Sequence, residues 1–318
     1  MTMLFLILLS VFSADPSLDE HNLRSVRWVT SLAEAREAAS RAGKPLLVEF
    51  GAKWCGFCKK LDRETFSQES VVRFVNDSFV AVQIDVDKEP ELARKYEIGG
   101  LPTVVFLSPG GEVLARLEGF RPPDTFLLEA RKSAETSAAL QKIQKLAEKA
   151  PGDVAAQRTH ARALCSVRNF DGAIKVLEAA KSAIPAGSFD ANLLLDLGDT
   201  YRAAGNKAAA RAAYGQLFTL KPEAAGEARE KAFLPLAGIL LELRDSDGAL
   251  GVLEELLKDP EKVRKERVAG LFLRAFVHAQ RKDTERALAD LKAARDEDPE
   301  GRRGQRAALI IETVETIK

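Results

Sequence analysis

Trp54-Cys55-Gly56-Phe57-Cys58-Lys59-Lys60 decides how the first half of this chain is read. Two cysteines three positions apart stand where a β pattern gives way to a helix pattern. Pro45-Leu46-Leu47-Val48-Glu49-Phe50, just before them, is a short apolar run of the kind a buried strand shows. Leu61, Thr65 and Phe66, just after, continue at helical spacing. A cysteine at that junction lies at a helix N-terminus, where free backbone N–H groups and the helix dipole favour the thiolate. The thiolate is the form that attacks disulfides. Cys55 therefore reads as a redox nucleophile and Cys58, one helical turn on, as its resolving partner. A zinc half-site is the alternative, but the chain has no second CxxC, and His21, His160 and His278 are scattered.

At 318 residues the chain is long enough for two domains. Lys plus Arg and Asp plus Glu are both 47, so the net charge is zero and neither nucleic acid nor an anionic membrane surface is an expected partner. Three cysteines are too few for a disulfide-stapled scaffold or a four-cysteine zinc site. No metal and no cofactor beyond a Cys55–Cys58 disulfide is expected. Met3 to Phe12 is an apolar run too short to span a bilayer as a helix, but suited to the core of a secretory signal. Residues 1–14 read as that signal, which implies export to a periplasmic or extracellular space. No Lys or Arg precedes the run, and an uncleaved segment would instead anchor the chain.

In order, Val26 to Val29 is an expected first strand. Ser31-Leu32-Ala33-Glu34 fits a capping box, with Glu34 reaching back to Ser31, and its helix ends at Gly43. After the cysteine helix come a helix over Glu69–Asn76, a strand over Phe79–Asp85 and a short helix over Glu89–Tyr96. Val104–Leu107 and Glu112–Glu118 pair around the turn Ser108-Pro109-Gly110-Gly111. Phe126 opens a helix that the Ala/Lys/Glu-rich stretch carries towards Lys149. This order predicts an α/β layer with a mixed sheet.

Leu47-Val48-Glu49-Phe50, Trp54-Cys55-Gly56-Phe57-Cys58-Lys59, Ile84-Asp85-Val86-Asp87, Leu101-Pro102-Thr103 and Gly119-Phe120 together resemble the thioredoxin fold. The match keeps order and spacing over about Trp28 to Lys132. With Glu64-Thr65-Phe66-Ser67 added, the stretch looks most like the thioredoxin-like domain of the DsbD-type electron conductors. The resemblance implies a cis bond before Pro102, which brings Leu101 beside the cysteines. It makes Trp54, Gly56, Phe57, Leu101 and Pro102 the substrate-binding set. It aligns Glu49 with a buried carboxylate, usually Asp, that takes the proton of Cys58. Ala81 occupies the place of the lysine that often pairs with this acid, and Phe57 replaces the proline of ordinary thioredoxins. Lys59 and Lys60 read as a solvated helix face.

The second half repeats. Prolines recur at 151, 185, 222, 260 and 299, with a helical hairpin between each pair. Spacing of this size with paired helices resembles tetratricopeptide repeats. Leu197-Gly198, Tyr201, Ala210, Tyr214 and Pro222 make the best copy, and three looser copies surround it. About four repeats are expected over 151–299, joined by a helical connector at 133–150 to a thioredoxin-like domain at 26–132. A capping helix over 300–318 puts Ile310, Ile311, Val314 and Ile317 on one face. Pro235 is expected early in its helix, where a missing N–H costs least. Cys165 reads either as a small buried residue or as a groove-facing thiol.

The expected function is thiol–disulfide exchange: a protein-disulfide reductase or relay, supplied by a separate thiol donor, with protein or peptide clients held in the repeat groove. Two rivals remain at this level. One is an assembly scaffold with a secondary redox role, and the other is an oxidase or isomerase.

Overall fold

The computed structural model describes residues 25–185, 190–258 and 264–316. The signal segment at 1–14, Pro260 and Ile317 lie outside the described residues. The chain divides into two compact units between Lys145 and Leu146.

The first unit is built on a five-stranded mixed sheet. Its strands are β1 (Trp28–Val29), β2 (Leu46–Gly51), β3 (Val80–Asp85), β4 (Thr103–Leu107) and β5 (Val113–Glu118), in the spatial order β1-β3-β2-β4-β5. β2 runs parallel to β3 and antiparallel to β4. Five helices belong to this part of the chain: α1 (Leu32–Ala42), α2 (Gly56–Glu64), α3 (Glu69–Ser78), α4 (Pro90–Lys95) and α5 (Pro123–Lys149).

β2 is central, and all six of its residues are buried. Successive strand side chains point to opposite faces. Leu46, Val48 and Phe50 accordingly pack with Ala35 and Ala39 of α1 and with Tyr96. Leu47 packs on the other face with Leu61 of α2, Val72 of α3 and Phe126 of α5. That second core is strongly aromatic: Trp28, Phe66, Phe126, Phe106 and Phe79 form a chain of ring contacts with centroids 5.1–6.0 Å apart. The same alternation sends Glu49 to the Leu47 face, beneath α2.

The elements expected from sequence are present, with shifts of a residue or two at their ends. Two local details differ. Ser31 caps α1 by accepting from the Glu34 N–H at 3.2 Å, but the Glu34 carboxylate takes the N–H and hydroxyl of Thr30 rather than the N–H of Ser31. α2 stops at Glu64, and the buried Thr65 donates its hydroxyl to the Arg121 carbonyl at 2.6 Å.

The second unit is a row of helical hairpins: α6 (Val154–Ser166) with α7 (Phe170–Ala183), α8 (Ala191–Ala203) with α9 (Lys207–Thr219), α10 (Pro222–Glu242) with α11 (Ser246–Lys258), and α12 (Arg264–Gln280) with α13 (Thr284–Glu297). α14 (Arg302–Thr316) follows. Each hairpin turns the same way. A residue with positive φ (Arg168, Gly205, Arg244 or Lys282) is followed by Asn169, Asn206, Asp245 or Asp283. In all four turns that Asn or Asp side chain accepts a backbone N–H three residues on, the N-cap arrangement that satisfies a free donor at a helix start. Asp and Asn do this readily because a single methylene joins their carbonyl group to the backbone.

Of the best copy, Leu197, Ala210 and Tyr214 are buried, and the looser copies bury Ala161, Leu177, Ala249, Leu253, Ala275 and Ala294. Pro235 differs from expectation: α10 begins at Pro222, bends at Gly226 (φ 49°, ψ −142°) and continues, so Pro235 stands inside the helix. There it removes one helical hydrogen bond, a cost that an early position would have avoided.

Gly198 shows why the best copy needs its glycine. A Cβ added there would meet the Tyr214 ring at 2.4 Å. Tyr214 is itself fully buried and donates its hydroxyl to Asp199 at 2.6 Å. Gly198→Ala is therefore expected to destabilise the array by about 1–3 kcal/mol, the usual range for overpacking. Urea unfolding followed by far-UV circular dichroism checks it, and the Tyr214→Leu double variant should recover part of the loss.

Candidate functional site

Cys55 and Cys58 form a disulfide with their Cα atoms 5.3 Å apart. Cys55 is the N-cap of α2, and its Sγ accepts the Cys58 N–H at 3.0 Å. The sulfur that would carry charge as a thiolate already occupies the place where a capping oxygen normally sits. Helix N-termini stabilise negative charge through their unpaired N–H groups and the helix dipole. Both cysteines are almost fully covered, and each borders a different cavity.

The cavity on the Cys55 side has a volume of about 640 Å³ and is lined by Trp54, Phe57, Val86, Ile98 and Leu101 among others. Trp54 and Phe57 are 69% and 63% exposed, so neither fills the core. The Trp54 indole N–H is held by Asp87 at 2.9 Å, which fixes the ring at the cavity wall. The Leu101–Pro102 bond is cis. The backbone N–H and C=O of Leu101 have no partner among the described residues. The structure thus brings Trp54, Gly56, Phe57 and Leu101 together around Cys55, with Pro102 buried behind them.

The cavity on the Cys58 side, about 350 Å³, carries most of the site's ionisable side chains. Glu49, Asp62, Lys59, Gln83 and Asp85 line it with Cys58. A Cβ placed on Gly51 would lie 2.8 Å from Glu49 Oε1 and 3.4 Å from Cys58 Sγ, so the carboxylate and the sulfur flank the same glycine. Glu49 is only 5% exposed. Burial pushes its pKa up to about 8, and the neighbouring Asp62 carboxylate adds to the rise. Asp62 is itself raised by burial, while a hydrogen bond from Gln83 at 3.2 Å opposes the rise. Asp62 and Gln83 escaped the sequence reading. One signal was available: Asp62 lies four residues after Cys58, on the same face of α2. Gln83 carries no such mark, because only the β2–β3 register sets it beside Glu49.

Lys59 borders the Cys58-side cavity, while Lys60 lies over the Phe120 ring at 4.3 Å and 3.8 Å from Glu64. Cys165 belongs to the second unit. It is partly buried, its Sγ lies 3.6 Å from Thr200 Oγ1, and burial pushes its thiol pKa up, which disfavours the reactive thiolate.

Glu49 gives a stability prediction. Below pH 4.5 the carboxyl is protonated whether the chain is folded or not. From there to about pH 8 the unfolded chain loses the proton while the folded one keeps it, so stability falls as pH rises. Above pH 8 the full cost of a buried charge remains, roughly 4–5 kcal/mol by the shift alone. Glu49→Gln is expected to flatten this decline and to be the more stable protein at pH 8. Both tryptophans, Trp28 and Trp54, lie in the first unit, so tryptophan fluorescence during thermal unfolding at several pH values reads the effect directly.

A thioredoxin-like domain model matches residues 32–133, and a tetratricopeptide-repeat model matches residues 193–223. The thiol:disulfide interchange protein DsbD of Ralstonia nicotianae is 31% identical over 119 residues, which is 36% of this chain and 19% of that protein. Protein disulfide-isomerase of Datisca glomerata is 31% identical over 138 residues, 43% of this chain and 26% of that one. The chain therefore spans less than a third of the length of these curated relatives. The solution structure of a thioredoxin from Thermus thermophilus is 35% identical and covers 36% of this chain and 92% of its own, with a TM-score of 0.34. The chain joins a thioredoxin-like domain to tetratricopeptide repeats.

Proposed function

We propose that the chain is an exported thiol–disulfide oxidoreductase that reduces, or relays electrons to, protein disulfides, and that its repeat array recruits clients or a partner. The observation that carries this reading is the placement of Cys55: it caps α2 and borders an apolar cavity whose wall includes the unpaired backbone of Leu101. An extended client segment can pair with that backbone as an added strand while Trp54 and Phe57 cover its side chains. The DsbD and disulfide-isomerase relatives support the same chemistry. The apolar leader supports export, and among the described residues no helix is long and apolar enough to cross a membrane.

In the reduced enzyme, Cys55 thiolate attacks one sulfur of the client disulfide. A bond forms between Cys55 and the client, and the other client sulfur leaves as a thiolate. Cys58 then attacks Cys55 Sγ, releasing the second client sulfur and restoring the disulfide seen here. Two electrons pass to the client, and a separate dithiol donor must return them. Cys58 has to lose its proton to attack, and Glu49 is the carboxylate placed to accept it. A pKa of about 8 is close to that of a thiol, so the proton passes with little uphill cost.

Two outcomes are expected. Insulin reduction with dithiothreitol as donor should fall to the uncatalysed rate in Cys55→Ser; wild-type protein no faster than that variant overturns the assignment. Stopped-flow release of a client peptide from its mixed disulfide should quicken with pH up to about 8 and level off above it, following the ionised fraction of Glu49. Glu49→Gln should slow that step at least about tenfold and lose the inflection.

A further inference from the structure

The last three helices of the array enclose a cavity of about 660 Å³ that is apolar on almost every side. Phe272 and Phe276 of α12, Leu288 of α13, and Ile310 and Val314 of α14 line it. Its volume lies within the range of binding pockets rather than packing voids. Other aromatic side chains of the unit, Tyr214 and Phe233, are fully buried. Phe276 is 53% exposed. An apolar cavity with a half-exposed aromatic wall marks a contact surface.

One charge lines this cavity, and its surroundings say what it waits for. Arg306 stands on the α14 face that carries Ile310 and Val314 at four-residue steps. It makes no ion pair among the described residues, and neither do Arg302 and Arg303 just before it. Four arginines of the two preceding helices behave otherwise. Arg267 holds Glu297, Arg274 holds Asp290, Arg286 holds Asp283 and Arg295 holds Asp296. Three unpaired cations in the first turns of a helix also oppose the helix dipole, which favours anions there. The fold gains nothing visible from them, whereas an anionic ligand would.

We propose that this cavity is a peptide site for a partner segment in which carboxylates lie within a few residues of a bulky apolar side chain. The apolar side chain enters between Phe272, Phe276 and Ile310, and a carboxylate pairs with Arg306. The exposed Thr284 on the cavity rim offers a hydroxyl to the peptide backbone. This rests on the partner-binding role given to the array above and names the kind of partner and where it docks.

The probe is a short fluorescein-labelled peptide with two glutamates followed by leucine and phenylalanine, titrated into the full chain by fluorescence anisotropy. A second peptide replaces the glutamates with lysines. The glutamate peptide should bind at least about tenfold more tightly than the lysine peptide, and Arg306→Glu should reverse that preference. Phe276→Ser should weaken the glutamate peptide by a similar factor. Both side chains are solvent-facing, and far-UV circular dichroism confirms that the variants fold. Equal binding of the two peptides overturns the proposal, as does binding of oleate with no peptide binding, or a Phe276-dependent dimer with none. Binding untouched by both substitutions overturns this cavity but leaves the array's partner-binding role standing. Failure of the redox assignment would show instead in the insulin assay, as wild-type protein no faster than Cys55→Ser.

Discussion

Strand β2 is buried on both faces, and its two-residue period leaves no freedom about where its one charge goes. Leu46, Val48 and Phe50 must face α1, so Leu47 and Glu49 must face α2. A glutamate in a run that is otherwise fully apolar would be an unmitigated cost if it met only hydrocarbon. Here it meets the cavity behind Cys58, with Asp62 and Gln83 nearby. The sheet thus sets a carboxylate at the depth of the buried sulfur, and the helix that begins at Cys55 sets the sulfurs above it. Glycine at position 51 keeps the intervening space free, since any side chain there would strike the Glu49 carboxylate.

Much of this could be read from the residues alone, and the reasons differ from element to element. β2, β3 and β4 announce themselves because buried strands read as unbroken apolar runs. The cysteine pair announces itself because spacing and a strand-to-helix transition coincide. Glu49 was visible by resemblance, but its environment was not: the contribution of Asp62 depends on how α2 lies over the sheet, and that of Gln83 on strand register. Trp54 could have been core or cover, and only the structure shows it exposed and tied to Asp87. In the array, prolines gave the period, yet the more informative mark was the pairing of a positive-φ residue with Asn or Asp. Three of those four positive-φ residues are Arg or Lys rather than glycine, so those turns carry no glycine mark. Pro235 lies deeper than expected because α10 already begins at Pro222 and bends at Gly226.

The two units answer different demands with different chemistry. The first concentrates its polar groups in one place, around a disulfide, and pays for that with a buried acid. The second spreads its polar groups along the array, where arginine–carboxylate pairs such as Arg162–Asp196 and Arg211–Asp245 recur. A solenoid needs such links because each repeat buries only part of its apolar face alone.

The two cavities beside the disulfide open from different sulfurs, and they share none of their lining residues. Under the proposed function, a client seated against Trp54, Phe57 and Leu101 would cover the apolar one and leave the acidic one uncovered. The proton that Cys58 gives up can then leave through Glu49 and Asp62 to water without passing the bound client. Under the proposed function, electrons and protons would move on opposite sides of one bond, and the size of the client need not govern how fast the acid empties.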